Sequence, residues 1–204
     1  MTSLHIAQRS AALRAMFGDA LLAGDALTSG GETPIPGVVV RPLTVNRDPR
    51  GTLTELLRED WADVFGDDLP FAQAYASVTV PGTARDEDRW HLHRRQTDRF
   101  VCLAGRLVVA VADARSESPA RGKLLLIDLT AGPDAPAPAV VTIPPGTVHG
   151  LVALGETPAT LLNFPTCRYD ASDEERVAFA DAGITVANGP PFSWDLVRGA
   201  IGLR

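Results

Sequence analysis

Short apolar runs alternate with polar segments over most of this chain, and that pattern predicts a mainly β protein. Glycine, proline, aspartate and asparagine separate the runs, as turn residues separate strands. The predicted strands cover residues 38–43, 53–57, 74–80, 88–94, 99–103, 107–112, 123–129, 139–143, 151–154 and 159–164. Many short strands between turn signals are typical of a sandwich or a barrel.

Both ends of the chain carry a helical pattern instead. Residues 4–28 place apolar side chains at helical spacing, and the segment 28–37 is rich in glycine, proline and threonine. We therefore divide the chain into an N-terminal helical extension with its linker, residues 1–36, and one domain, residues 37–204. Near the C-terminus, Ser172–Glu175 has the form of a capping box and predicts the start of a short helix.

The composition indicates which binding partners and which cellular compartment to expect. The formal net charge of −6 over 204 residues argues against binding of nucleic acid through its phosphates. The two cysteines form no disulfide framework, and no apolar run approaches the length of a membrane span. The N-terminus lacks the pattern of a signal peptide, so we expect a cytoplasmic protein without a membrane partner.

Three of the four histidines are candidates for one site. His91 and His93 lie two residues apart, so a strand would direct both side chains to the same face. His149 ends the glycine- and proline-containing run 143–149 and could meet them inside a barrel. With Asp98, these imidazoles could hold a divalent transition metal; alternatively, one histidine could act as a general base.

Several motifs follow one another in the order of a known family. They are the Asp-Pro-Arg-Gly run 48–51, the Trp-His-Leu-His run 90–93, the Ile-Pro-Pro-Gly-Thr-Val-His-Gly run 143–150 and the segment 163–169. Together they resemble the dTDP-4-dehydrorhamnose 3,5-epimerase family of the cupin superfamily over about residues 37–195. The resemblance implies a cupin double-stranded β-helix, which is a jelly-roll barrel, with the N-terminal helical extension and the short C-terminal helix added to it.

The same resemblance implies roles for individual residues. His93 falls on the family's catalytic base, which removes a proton next to the sugar's C4 keto group and forms an enolate. Asp181 matches the carboxylate that orients this base, and Tyr169 matches a tyrosine of the substrate pocket. Arg50 matches an arginine that contacts the nucleotide diphosphate, often across a dimer interface, and Glu55 lies where the family has a residue near the nucleotide.

Four more residues are candidate substrate contacts at which the chain departs from the family or is ambiguous: His91, Arg99, His149 and Asn163. His91 stands in place of a glycine, and Asn163 stands in place of the proton-donating tyrosine. Arg99 is the cation nearest to the place of the lysine that steadies the enolate. Because an amide does not deliver a proton, the enolate would be protonated by water or by Tyr169. The sequence is therefore as consistent with epimerisation at one carbon as with the full 3,5 reaction.

The sequence thus predicts an isomerase that acts on a small-molecule nucleotide sugar, a dTDP-linked 4-keto-6-deoxysugar, with no cofactor. Two alternatives stay open. One is a metal-dependent cupin enzyme with His91, His93, Asp98 and His149 as ligands; the other is a cupin that binds a sugar or nucleotide without catalysis. The family resemblance also implies a homodimer.

Overall fold

The computed structural model describes residues 11–23, 30–132, 138–187 and 189–201. The described part of the chain is mainly β, with helical turns at residues 11–17 and Gly18–Ala20 and a helix at Trp194–Ala200. Its strands are β1 (Leu21–Leu22), β2 (Gly31–Glu32), β3 (Val39–Pro42), β4 (Val45–Asp48), β5 (Gly51–Thr54), β6 (Tyr75–Thr79), β7 (Arg89–His93), β8 (Asp98–Asp113), β9 (Leu124–Ala131), β10 (Ala139–Ile143), β11 (Thr147–Ala153), β12 (Ala159–Asn163) and β13 (Glu174–Ala178).

Two sheets form the barrel, and the long strand β8 belongs to both. The first sheet has the order β13-β7-β11-β8-β9-β1, and the second has the order β2-β3-β10-β8-β12-β6. β8 changes sheets at Gly105. Its φ of +73° lies in the left-handed region, which glycine adopts without steric strain. A side chain there would also meet Pro158 O at 2.7 Å, so the bend depends on glycine twice over.

Alternation along β8 builds two cores. Val109 and Val111 point between the sheets, into a cluster with Leu125, Ile127 and Leu151. The residues that alternate with them, Val108, Ala110 and Ala112, face the outside of the first sheet. That outer face is covered by other apolar side chains, among them Leu13, Phe17, Trp90, Phe192, Trp194 and Val197. The first sheet is thus buried on both faces, which accounts for the unbroken apolar run of β8.

The second sheet also has a covered outer face. Val101 and Val140 pack there against Leu43, Val64 and Phe164 in a third cluster. β4 and β5 form a separate exposed hairpin. The cavity between the two sheets is therefore the interior of a jelly roll, and its open end is lined by β6, β7 and the segments after β12.

The predicted fold class is confirmed, and most of the predicted strands are found within a few residues of their expected bounds. Two details were wrong. Residues 99–103 and 107–112 belong to the single strand β8, and Ser172–Glu175 leads into strand β13 rather than a helix. The backbone of residues 174–178 pairs with β7 in an antiparallel ladder, and this tertiary contact overrides the local capping signal.

The helical pattern predicted over residues 4–28 is present as a helix at 11–17 and a 3-10 turn at Gly18–Ala20, but the prediction was wrong at Leu21–Leu22, which form strand β1. Residues 4–10 and 24–28 lie outside the described residues. Leu21 and Leu22 then pair in parallel with Leu126 and Ile127, so this segment is part of the first sheet. The division at residues 36 and 37 stays a prediction. Among the described residues, no helix is both long enough and apolar enough to cross a membrane.

Candidate functional site

The two histidines of β7 and His149 meet inside the barrel. Trp90 and Leu92 of β7 point outward into the covered core, so His91 and His93 point inward. In the antiparallel pairing of β7 with β11, His149 lies directly opposite His91. The ligand nitrogens of the three imidazoles lie within 4.8 Å of one another, as the shared strand face predicts.

Asp98 joins this cluster from the first residue of β8. Its Oδ2 lies 3.3 Å from Nε2 of His149 and 3.7 Å from Nε2 of His93, and its Oδ1 accepts a 2.7 Å hydrogen bond from the Asn163 amide. Burial raises the pKa of Asp98, but the hydrogen bonds from His149 and Asn163 and the electrostatic attraction of His149 and His93 outweigh it, and the net pKa lies below its usual value. Asp98 is therefore a buried carboxylate.

Asp173 holds the other edge of His93. Its backbone oxygen lies 3.2 Å from Nδ1 of His93, and its Oδ2 lies 3.7 Å from the same nitrogen. The carboxylate also accepts hydrogen bonds from the backbone N–H groups of Arg94, Arg95 and Gln96, at 3.1–3.2 Å. Because the carbonyl oxygen can only accept, Nδ1 carries the proton and Nε2 keeps a lone pair.

The unprotonated nitrogen of His93, Nε2, faces Gln96. The Gln96 amide lies 3.2 Å from Nε2 of His93 and donates a 2.8 Å hydrogen bond to Oδ1 of Asp98. One amide group thus links the lone pair of His93 to the buried carboxylate. The imidazole is fixed on both edges without any contact that protonates Nε2.

Asn163 connects Asp98 to a tyrosine on the second sheet. β12 pairs with β6 so that Asn163 lies opposite Tyr75, and its amide donates a 2.9 Å hydrogen bond to the Tyr75 hydroxyl. Burial raises the pKa of Tyr75, and the hydrogen bond from Asn163 lowers it by less. The phenol is therefore protonated at neutral pH.

These side chains border a cavity of about 380 Å³. Its lining residues come from β6, β7 and the segments at 95–96 and 167–174: Gln73, Tyr75, His91, His93, Arg95, Gln96, Cys167, Arg168, Tyr169, Asp170, Asp173 and Glu174. A volume of this size accommodates a small ligand. His91 and His93 line this space together with the phenols of Tyr75 and Tyr169. His149, Asp98 and Asn163 contact these lining residues but do not line the cavity themselves.

His91 is the least satisfied member of the cluster. Its Nε2 is buried, has no hydrogen-bond partner in the described part of the chain, and lies 3.5 Å from Oε1 of Glu174. Burial lowers the pKa of His91 to about 4, and the neighbouring His149 and His93 act in the same direction. His91 is thus neutral at physiological pH and can accept a hydrogen bond or bind a metal ion.

The expected pairing of Asp181 with His93 was wrong. Glu174 lies opposite His93 in the β13–β7 ladder, and Ala178 lies opposite Arg89 at the far end. Four residues of strand span roughly 13 Å, so the chain has left His93 well before the exposed Asp181. Asp173, immediately before β13, is the carboxylate that contacts His93.

Arg99 is not a substrate contact either. Asp98 and Phe100 point into the barrel, so Arg99 points to the outer face of the second sheet. There the buried guanidinium donates to four backbone carbonyls, those of Val64, Leu69, Pro70 and Phe164, at 2.6–3.0 Å. Its role in the structure is to hold the segment 64–70 against the barrel.

The remaining predicted site residues fall in two groups. Tyr169 lines the mouth of the cavity and is 71% exposed. Arg50 and Glu55 lie on or beside the exposed β4–β5 hairpin, where they pair with Asp48 and Arg58, and neither lines the cavity. Within one chain, the structure brings together the histidines, Asp98, Asn163 and Tyr169, but not the hairpin residues.

Sequence reasoning missed Asp173, Tyr75 and Gln96. Asp173 contacts His93 across 80 residues of sequence, and Tyr75 contacts Asn163 across 88. Neither distance leaves a local signal in the chain. Gln96 follows His93 by three residues and precedes Asp98 by two, so this spacing within one turn is a signal that could have found it.

The donor set also fits a divalent transition metal. Three imidazoles and a carboxylate are suitable ligands, and both Nε2 of His91 and Nδ1 of His149 are buried without a hydrogen-bond partner among the described residues. A jelly-roll barrel with inward histidines on its strands is the architecture of a cupin. Fold and site together define a cupin-type protein with a polar, ligand-sized cavity.

Comparison with known proteins narrows this class. The family model for dTDP-4-dehydrorhamnose 3,5-epimerase matches residues 32–195. The probable low-salt glycan biosynthesis epimerase Agl13 of Haloferax volcanii is 38% identical over 148 residues, which are 71% of this chain and 88% of Agl13. The spore coat polysaccharide biosynthesis protein SpsL of Bacillus subtilis is 34% identical over 154 residues, which are 74% of this chain and 93% of SpsL.

A solved structure agrees. NovW, a 4-keto-6-deoxy sugar epimerase from the novobiocin cluster of Streptomyces spheroides, superimposes with a TM-score of 0.65 at 28% identity, over 80% of this chain and 81% of NovW. The chain belongs to the dTDP-4-dehydrorhamnose 3,5-epimerase family, whose members are epimerases of sugar nucleotides. The family resemblance expected from the motifs is thereby confirmed.

Proposed function

We propose that this protein epimerises a dTDP-linked 4-keto-6-deoxysugar at a carbon next to the keto group, with His93 as the base. The observation that carries the proposal is the double anchoring of His93 on the cavity wall, by Asp173 at Nδ1 and by Gln96 at Nε2. The similarity to NovW, a 4-keto-6-deoxy sugar epimerase, supports the substrate class.

The contacts of His93 suit proton abstraction. With its proton on Nδ1, the imidazole takes an acidic C–H proton of the sugar at Nε2, once the bound substrate has displaced the Gln96 amide from that lone pair. The imidazolium that forms then lies 3.7 Å from both Asp173 Oδ2 and Asp98 Oδ2. Two flanking carboxylates stabilise the charged product of the transfer.

Binding of the diphosphate requires cations at the cavity. Arg95 and Arg168 line it, and Arg95 is already paired with Asp170 and Asp173. We assign the diphosphate contact within one chain to Arg168. The exposed Arg50 would reach a substrate only from the hairpin of a second subunit, and this is the arrangement we propose for a homodimer.

Deuterium exchange tests the proposal directly. Purified protein is incubated with dTDP-4-keto-6-deoxyglucose in D₂O, and label at C3 and C5 is followed by NMR and mass spectrometry. We expect label at one or both carbons, and about 10²–10⁴-fold slower labelling with His93→Asn.

Asp181→Asn serves as the control, because this carboxylate lies beyond the far end of β7. Absence of labelling by the unaltered protein contradicts the proposal. If dTDP still binds in that case, the protein is a binding cupin without catalysis.

The unpartnered nitrogens of His91 and His149 favour a second candidate, a metal-dependent enzyme with His91, His93, Asp98 and His149 as ligands. A bound divalent transition metal would supply a Lewis acid for the keto oxygen. The two candidates exclude each other at His93, because a nitrogen that ligates a metal has no lone pair for a proton.

Metal analysis separates the two candidates. The metal-dependent enzyme requires near-stoichiometric transition metal in protein purified without a chelator, loss of that metal in His91→Asn and His149→Asn, and a Co²⁺ absorption band in the reconstituted protein. Active protein that contains no metal rules the second candidate out.

A further inference from the structure

We propose that Tyr75 is the acid that protonates the enolate, on the side of the sugar opposite to His93. The inference rests on the proposed epimerase function and adds a residue to it. Its starting point is the hydrogen bond from Asn163 to the Tyr75 hydroxyl, made at the chain position where the family's proton-donating tyrosine stands.

The two sheets place the two groups across the cavity from each other. His93 is on β7 of the first sheet, and Tyr75 is on β6 of the second. Both line the same cavity, and facing sheets lie about 10 Å apart. A sugar ring between the sheets would therefore have the imidazole on one face and the phenol on the other, which is the geometry that inversion of a carbon requires.

The hydrogen bonds around Tyr75 suit a proton donor. Its oxygen accepts from the fully buried Asn163 amide at 2.9 Å, so the hydroxyl proton is free to point away from Asn163 toward the cavity. The same amide steadies the phenolate once the proton has left. Burial, which raises the pKa of Tyr75, keeps the donor protonated between turnovers.

One network also fixes the distance between the acid and the base. From Tyr75 it runs through Asn163 to Asp98, and from Asp98 through Gln96 to Nε2 of His93. The amides do not relay protons, but they hold both groups in place. Asn163 is thus a positioning residue that presents a tyrosine from the neighbouring strand.

The proton transfers balance. The C–H bond next to the keto group breaks, its proton passes to Nε2 of His93, and its electron pair enters the enolate. A new C–H bond forms on the opposite face with the proton of Tyr75, which leaves a phenolate. Solvent water returns a proton to the phenolate, and His93 releases its own proton to solvent.

The roles of His93 and Tyr75 can be separated by measuring deuterium exchange and inversion of the carbon independently. In D₂O with dTDP-4-keto-6-deoxyglucose, Tyr75→Phe should form the inverted epimer at least about 100-fold more slowly, within the range expected for loss of a general acid. Label should still enter the substrate at a rate within a few-fold of the unaltered protein, because His93 removes and returns protons from its own side. A half-exposed ring that loses only its hydroxyl keeps its packing, so the variant folds.

Tyr169→Phe is measured beside it, because Tyr169 is the other tyrosine of the cavity. The proposal would be overturned if Tyr75→Phe inverted the substrate at the normal rate, or if that variant lost exchange and inversion equally. It would also be overturned if Tyr169→Phe showed exchange without inversion. If the unaltered protein shows no exchange at all, the epimerase function itself fails, and this result is distinct from the other three.

Discussion

The backbone oxygen of Asp173 lies 3.2 Å from Nδ1 of His93, while the carboxylate of the same residue binds the three backbone N–H groups that follow His93 in the chain. A single residue therefore sets the tautomer of the candidate base and the course of the turn behind it. This contact replaces the one that the sequence resemblance assigned to Asp181.

Asp173→Asn should slow deuterium exchange by at least about tenfold, because an amide lacks the negative charge that stabilises the imidazolium. Asp181→Asn makes the same chemical change outside the site and should keep the normal exchange rate. The two rates are measured under identical conditions in D₂O. Equal losses in both variants would restore Asp181 as a partner of the base.

Arg99→Lys should lower the free energy of unfolding by about 2–4 kcal/mol, since an ammonium group cannot reach the four carbonyls that the buried guanidinium binds. Urea unfolding followed by fluorescence measures the change. Arg89 is exposed, and its side chain pairs with the exposed Asp88, so Arg89→Lys should leave the urea midpoint unchanged. A loss of turnover in Arg99→Lys without loss of stability would instead indicate a catalytic cation.

Gly105→Ala should destabilise the protein more than Gly122→Ala. Both glycines have a positive φ, +73° and +82°, and alanine in this region costs about 1–2 kcal/mol. Only Gly105 adds a backbone clash, at 2.7 Å from Pro158 O, which should cost about 1–3 kcal/mol more. Thermal unfolding of both variants checks the order, and equal shifts would mean that the bend of β8 can move aside.

The two cysteines should react very differently with iodoacetamide. Burial raises the pKa of Cys102 to about 12, so at pH 8 almost none of it is the reactive thiolate. Cys167 lines the cavity and is partly exposed. Peptide mapping should find label at Cys167 and not at Cys102, and dTDP should slow that labelling. Equal labelling would show that the barrel interior opens to solvent.

The sequence predicted those parts of the site that depend on local periodicity. His91 and His93 share a face because β side chains alternate, and the run 143–149 placed His149 on a neighbouring strand. The contacts that sequence reasoning missed depend on the register of distant strands. Nothing near Tyr75 indicates that β6 pairs with β12, and nothing near Asp173 indicates that β13 pairs with β7.

The error at Asp181 has the same origin. The family resemblance placed Asp181 beside the base, His93. The paired strand β13 carries the chain away from it instead. Arg99 follows the inward-facing Asp98 by one residue, and because strand side chains alternate, its side chain lies on the opposite face of the sheet from the cavity.

The pairing of β1 with β9 has a practical consequence for anyone who shortens this protein. A version cut to the family match at residue 32 would remove Leu13, Phe17 and Leu21, which are 0–4% exposed, and would strip a neighbour from the edge of β9. An open strand edge beside a bare apolar face invites pairing between molecules. The trimmed version would therefore fail by aggregation on expression, with every residue of the cavity still in its sequence.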